Sequence, residues 1–178
     1  MDAAVAEKYY TTDDIEALPE GERAELFDGR IYYMASPNTR HQRLVTKFTQ
    51  AISNYIDSKN GDCEVFPAPF AVFINKDKHN YVEPDITVIC DPEKITDKGC
   101  NGAPDWIIEV VSPSSRTMDY YRKLLKYQNS GVREYWIVDP EKEIVTVFNM
   151  PTEDMTEYNF GDEIPVNIYE GFSIKVEG

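Results

Sequence analysis

The chain has 178 residues, 42% of them hydrophobic and 12% aromatic, which excludes global disorder and favours one domain, 1–178, with a real core. A net charge of −14 argues against a broad basic surface for nucleic acid. A local basic cluster can still hold phosphate, because charges are screened beyond roughly 8 Å at physiological salt.

Residues 1–22 carry neither a cationic start nor an apolar run, and no stretch approaches the length of a membrane span. A cytoplasmic protein with no membrane partner is expected. Thr12 to Leu18 reads as a short capped helix, ended by Pro19 and Gly21. Glu25 to Met34 reads as a hairpin with Asp28-Gly29 as its turn. Asn38 or Thr39 can cap a long helix, in which Leu44, Val45, Phe48, Ala51, Ile52, Tyr55 and Ile56 recur at helical spacing until Asn60-Gly61.

Residues 63–75 and 81–89 read as strands joined by a polar turn, and 91–104 as a Pro- and Gly-containing loop with a short helix. Cys63, Cys90 and Cys100 are odd in number and form no Cys-x-x-Cys, so buried free thiols are expected rather than a disulfide or a zinc cluster. A strand over 105–111 precedes Ser112-Pro-Ser-Ser115, which can cap a helix from about Arg116 to Asn129. Strands at 134–139 and 143–148 follow, then a meander with turns at Gly161 and Gly171. This order predicts an α/β or α+β sandwich around a mixed sheet.

Two carboxylates stand where strands should be buried. Asp85 lies in Tyr81-Val-Glu-Pro-Asp-Ile-Thr-Val-Ile89, and Glu109 lies in Trp106-Ile-Ile-Glu-Val-Val111. A buried ionised carboxylate costs several kcal/mol, in order of magnitude, unless a cation or hydrogen bonds compensate it. Either acid alone is most simply a strand-end cap or a lysine partner. Together, on strands that can be neighbours, they suggest a shared metal ion. Strand alternation places Ile107, Glu109 and Val111 on one face and Trp106, Ile108 and Val110 on the other.

On the following helix, Asp119 and Lys123 are spaced for an i, i+4 surface pair. Helical angles centre the buried face on Tyr121, Leu124, Leu125 and Gln128, with Lys123 and Tyr127 on its shoulder and Lys126 toward solvent. Arg40, Arg43 and Lys47 form a short basic stripe, and His41 lies among them. This is the best local candidate for a nucleic-acid contact, although a solvated helix surface also explains it.

Pro84-Asp85 followed by Ile108-Glu-Val-Val111 resembles the PD-(D/E)xK nuclease signature, except that Val111 stands where a lysine is usual. Ile108-Glu-Val-Val-Ser-Pro-Ser-Ser115, then Asp119, Lys123, Tyr127 and Gly131-Val-Arg-Glu-Tyr-Trp-Ile-Val-Asp-Pro140, resemble the Uma-two family of putative bacterial restriction endonucleases. Glu25-Leu-Phe-Asp-Gly29, Met34 and His41 extend that likeness.

The resemblance implies a restriction-endonuclease-like mixed sheet flanked by helices, here with an added N-terminal hairpin and C-terminal β-meander. It implies hydrolysis of DNA phosphodiesters, with Asp85, Glu109 and a backbone carbonyl near Val110 or Val111 holding Mg²⁺ or Mn²⁺. Lys123 would be the migrated catalytic lysine, and Glu25 a further ligand. A homodimer with its interface in the segment Tyr158 to Val176 is expected, because cutting both strands calls for two centres. The competing readings are a catalytically weak or inactive binding module, and a hydrolase of smaller phosphodiesters.

Overall fold

The computed structural model describes residues 8–75, 77–112, 115 and 117–177. It opens with α1 (Thr12–Glu16) and a hairpin of β1 (Ala24–Phe27) and β2 (Arg30–Tyr33). Asp28 and Gly29 turn that hairpin at φ of 48° and 74°, the left-handed pair that a tight two-residue loop demands. In α2 (Thr39–Ser58) the Asn38 side chain accepts the His41 N–H at 2.9 Å, which caps the helix.

The central strands are β3 (Glu64–Pro67), β4 (Val72–Phe73), β5 (Ile86–Ile89), β6 (Ile95–Thr96), β7 (Gly99–Asn101) and β8 (Trp106–Val110). A π-helical stretch, Met118–Lys123, runs into α3 (Leu124–Ser130), which Gly131 ends at φ 94°. Then come β9 (Glu134–Asp139), β10 (Ile144–Asn149), β11 (Asp154–Asn159), β12 (Glu163–Pro165) and β13 (Ser173–Lys175).

Six strands form the main sheet in the order β11-β10-β9-β8-β5-β3. The β8–β9 pair is parallel and every other neighbouring pair in that sheet is antiparallel. The parallel step of this sheet joins the two strands between which the π/α3 helix lies in sequence. The sheet separates two apolar layers. Trp106, Ile108, Val110, Trp136 and Val138 pack with Leu44, Val45, Phe48, Ile52 and Ile56 of α2. Ile107, Val111, Tyr135 and Ile137 pack on the other side with Tyr127 of α3 and Val72, Ile74 and Val82. Burial of side chains this size stabilises by roughly 1.5–3 kcal/mol each. The mixed, restriction-endonuclease-like sheet expected from the sequence is the fold observed, with β1–β2 as the added hairpin.

Several local expectations are corrected. The strand expected over 63–75 breaks at the cis Ala68–Pro69 bond, because proline cannot donate to a ladder. The strand expected from residue 81 begins only at Ile86, so Asp85 sits just before it. Cys63 and Cys90 are joined in a disulfide: the register Glu64↔Ile89 sets them opposite each other one step along. Cys100 keeps a buried thiol directed at the Gly102 carbonyl, 3.3 Å away.

The apolar residues of the C-terminal segment, Ile164, Val166, Ile174 and Val176, pack into the α2-side core. The pattern that suggested a dimer interface there is therefore satisfied within the chain. Pro113, Ser114 and Arg116, on which the expected cap and helix start partly rest, lie outside the described residues. Among the described residues no helix is long and apolar enough to cross a membrane.

Candidate active site

Lys123 is the hub. Its Nζ donates to Glu109 Oε1 at 2.9 Å and to Glu25 at 3.0 Å and 2.9 Å from its two oxygens, with Asp119 Oδ1 at 3.5 Å. All four side chains are buried: Glu25 6% exposed, Glu109 5%, Asp119 3% and Lys123 4%. Three elements deliver them. Glu25 comes from β1, Glu109 from β8, and Asp119 and Lys123 from the π-helical stretch. Tyr127, one turn on, donates to Glu109 Oε1 at 3.3 Å. Glu25 Oε1 also accepts the Glu83 N–H at 3.0 Å, which ties the hairpin to the segment carrying Asp85.

Asp85 stands beside this hub. The register Ile86↔Ile108 brings it next to Glu109 across β5 and β8. Its N–H lies 3.4 Å from Glu109 Oε2, and its Oδ2 accepts the Val110 N–H at 2.7 Å. His41 reaches the same Oδ2 with Nε2 at 3.0 Å. Asp85 thus links α2 to the sheet. His41 leaves the basic stripe to join the acidic site. Arg40 pairs instead with Glu143 on the surface, and Arg43 and Lys47 are exposed, so the expected stripe does not form one unit with His41.

The helix face also needs correction. Tyr121 is 68% exposed and Leu125 60%, while Asp119, Lys123 and Tyr127 are buried. The buried face runs through two charged groups and a phenol, which an apolar-spacing argument does not recognise as a core stripe. The π-helical turns also rotate successive side chains by less than the 100° of an α-helix. Asp119–Lys123 is therefore a buried pair, not a surface one. Lys126, expected in solvent, folds back onto the β1–β2 hairpin, pairs with Asp28 and lies 5.3 Å over the Phe27 ring.

Three carboxylates around one ammonium leave an excess of buried negative charge. Burial pushes the Glu109 carboxyl well above its ordinary range, opposed by Lys123 and reinforced by Asp119 and Asp85. Asp119 is raised for the same reason, again opposed by Lys123. Burial alone would lower the Lys123 pKa, but Glu109 and then Glu25 outweigh it and raise it well above the usual value.

A carboxyl whose pKa is raised by folding binds more protons folded than unfolded. Stability therefore falls as pH rises from about 4, the unfolded value, through the raised one. The Lys123 contribution is complete below about 10.4 and lies outside this window. Metal-free protein is expected to melt higher near pH 5 than near pH 8, by up to about 1.4 kcal/mol per pH unit for each linked proton. Melting curves in EDTA check this, and Glu109→Gln should flatten the slope. An equal slope in that variant would assign the effect to the general acidity of the surface.

Among the described residues no three His, Cys, Asp or Glu side chains form a metal cage. Asp85 and Glu109 are a two-carboxylate set of hard oxygen donors. That suits a Mg²⁺-type ion, which keeps several waters and needs only one or two carboxylates. Asp85 Oδ2 accepts the Val110 N–H and meets His41, and Glu109 Oε1 takes Lys123 and Tyr127. Asp85 Oδ1 enters none of these bonds and Glu109 Oε2 only the long 3.4 Å one from the Asp85 N–H, so both keep lone pairs for such an ion.

Residues 8–177 match the sequence profile of the Uma2 family, described as putative restriction endonuclease. An uncharacterized protein of Synechocystis sp. is 30% identical over 118 residues, 66% of this chain and 60% of that relative. The chain therefore matches under two thirds of that relative's length. A putative nuclease from Anabaena variabilis, described as belonging to DUF820, superposes with a TM-score of 0.72 at 22% identity over 89% of each chain. That likeness carries the fold.

Proposed function

The chain belongs to the Uma2 family of putative restriction endonucleases, and from that premise we propose that it is a metal-dependent endonuclease acting on DNA. The observation that carries this reading is the meeting of Asp85 and Glu109 on neighbouring strands, with Lys123 brought onto Glu109 from the next helix. In this reading Asp85, Glu109 and the Val110 carbonyl hold Mg²⁺ or Mn²⁺. The ion, when bound, supplies a more acidic water and charge stabilisation at the phosphate.

The chain's own residues do the rest. His41 and the Val110 N–H fix the Asp85 carboxylate, as outer partners fix metal ligands elsewhere. Glu25 and Asp119 hold the Lys123 ammonium in place from behind. Lys123 then presents a positioned positive charge to the attacking water or the scissile phosphate, the role that preorganised donors play in transition-state stabilisation. Lys123 takes over the part that Val111, buried in the core, cannot play. A second copy of the chain would supply the second centre for a double-strand cut.

One observation favours a weaker catalyst that mainly binds. The Lys123 ammonium already faces three carboxylates, which compete with any phosphate for its protons. Metal linkage tests the proposal. At a hundred times its Kd, Mg²⁺ or Mn²⁺ should stabilise the fold by about 2.7 kcal/mol, seen as a raised melting temperature. Asp85→Asn should remove most of that shift. The same shift in wild type and variant would place the ion on the acidic surface instead.

A further inference from the structure

The chain carries −14 overall, yet a cleft of about 640 Å³ built on the hairpin and helix that also carry Glu25 and Lys123 is lined by four cations. Lys8, Arg30, Arg122 and Lys126 line it with one carboxylate, Asp28, which pairs with Lys126, while Lys8 pairs with Asp14 at 3.6 Å. Two tyrosines, Tyr9 and Tyr32, line it as well. The cleft shares two elements with the Lys123 hub, the helix and the β1–β2 hairpin. Arg122 precedes Lys123 on the helix, with Lys126 one turn on, and Tyr32 is the cross-strand partner of Glu25.

The aromatic groups are held in place. The Tyr9 ring packs against the His79 ring at 4.5 Å between centroids. It also packs against Gly29, where an added Cβ would meet Tyr9 Cε2 at 2.4 Å. Glycine at the hairpin turn thus leaves room for the ring, while Tyr9 keeps 61% of its surface exposed. Arg122 donates to the Tyr32 hydroxyl, a neutral partner, and its guanidinium lies 5.9 Å from the centre of the Tyr32 ring. Cations beside exposed aromatic rings are the chemistry that grips unpaired nucleic acid: phosphates take the cations, and bases stack on the rings.

Resting on the nuclease reading, we propose that this cleft holds an unpaired nucleotide of the substrate strand next to the catalytic centre. Its phosphates lie on Lys8, Arg30, Arg122 and Lys126, and its base lies against the tyrosine rings. A paired duplex is too wide to enter a cavity of this size, so the cleft selects strands that are single, frayed or flipped.

Fluorescence anisotropy in EDTA tests this with a labelled oligothymidylate and a blunt duplex of equal length. The single strand is expected to bind more tightly than the duplex. Tyr9→Ala and Arg122→Glu should each weaken it about tenfold or more, with melting temperatures near wild type and with Tyr9→Phe restoring stacking. Affinity within twofold of wild type in both variants overturns the proposal. So does competition by polyglutamate as effective as that by unlabelled strand, or a duplex that binds as tightly as the strand.

The measurement contains no metal, so it is separable from cleavage. Binding through the cleft without any Mg²⁺-dependent cutting would leave the cleft standing and remove the nuclease reading. Cutting by a chain whose cleft variants bind normally would do the reverse.

Discussion

Lys123→Ala is expected to destabilise the fold by about 3–5 kcal/mol, the scale of removing one partner from a buried ionic cluster. Glu25, Glu109 and Asp119 would then face one another without a cation, in a site where none of them is more than 6% exposed. Protonation of Glu109, already favoured by burial, would relieve part of this and move the loss toward the lower end as pH falls. Below its melting temperature the variant should also cleave more slowly by about 2–4 kcal/mol of barrier, the scale of one preorganised donor.

Lys126→Ala is the matched control. It removes a pair with Asp28, whose side chain is 60% exposed, and should cost less than about 1 kcal/mol of stability. Melting curves, and single-turnover cleavage at saturating DNA so that affinity lost at the cleft does not enter, compare both variants. Equal losses would mean that the two lysines act through bulk electrostatics alone.

The parts of the site on β8 were legible because strand alternation is strict. An acid between Ile107 and Val111 on an otherwise apolar face stands out, and the structure keeps that face assignment. The hairpin was legible from Asp28-Gly29, and the long helix from its apolar spacing and its Asn38 cap. What failed shares a cause. Asp119, Lys123 and Tyr127 form a buried polar stripe that runs from the π-helical stretch into α3. Apolar spacing therefore missed Asp119, and the α-helical angle put Lys123 and Tyr127 only on the shoulder of a face centred too near the exposed Tyr121 and Leu125.

His41 looked like one more cation on a basic stripe. Its partnership with Asp85 depends on how α2 docks against the sheet, a contact 44 residues apart in sequence. The contact of Glu25 with Lys123 has the same origin, since the two lie 98 residues apart. The disulfide depended on the β3–β5 register, and the C-terminal packing on where that segment folds back. Tertiary contacts of this kind leave no local periodic signal.

Asp85→Asn is expected to abolish catalysis while sparing the fold. Asparagine keeps the shape and retains an oxygen for the Val110 N–H and His41 Nε2, which now meet at Asp85 Oδ2. It removes the negative charge that a hard divalent cation needs. With the ion's charge stabilisation and its acidic water both lost, the barrier should rise by roughly 3 kcal/mol or more, a rate loss beyond about a hundredfold. The direct test is single-turnover cleavage of one labelled duplex at saturating Mn²⁺ by wild type and Asp85→Asn, with wild type in EDTA alongside. Cleavage by the wild type with metal, absent in EDTA and in the variant, is the predicted result. Cleavage that persists in EDTA, or a variant that cuts at the wild-type rate, would contradict a metal-dependent centre at Asp85 and Glu109.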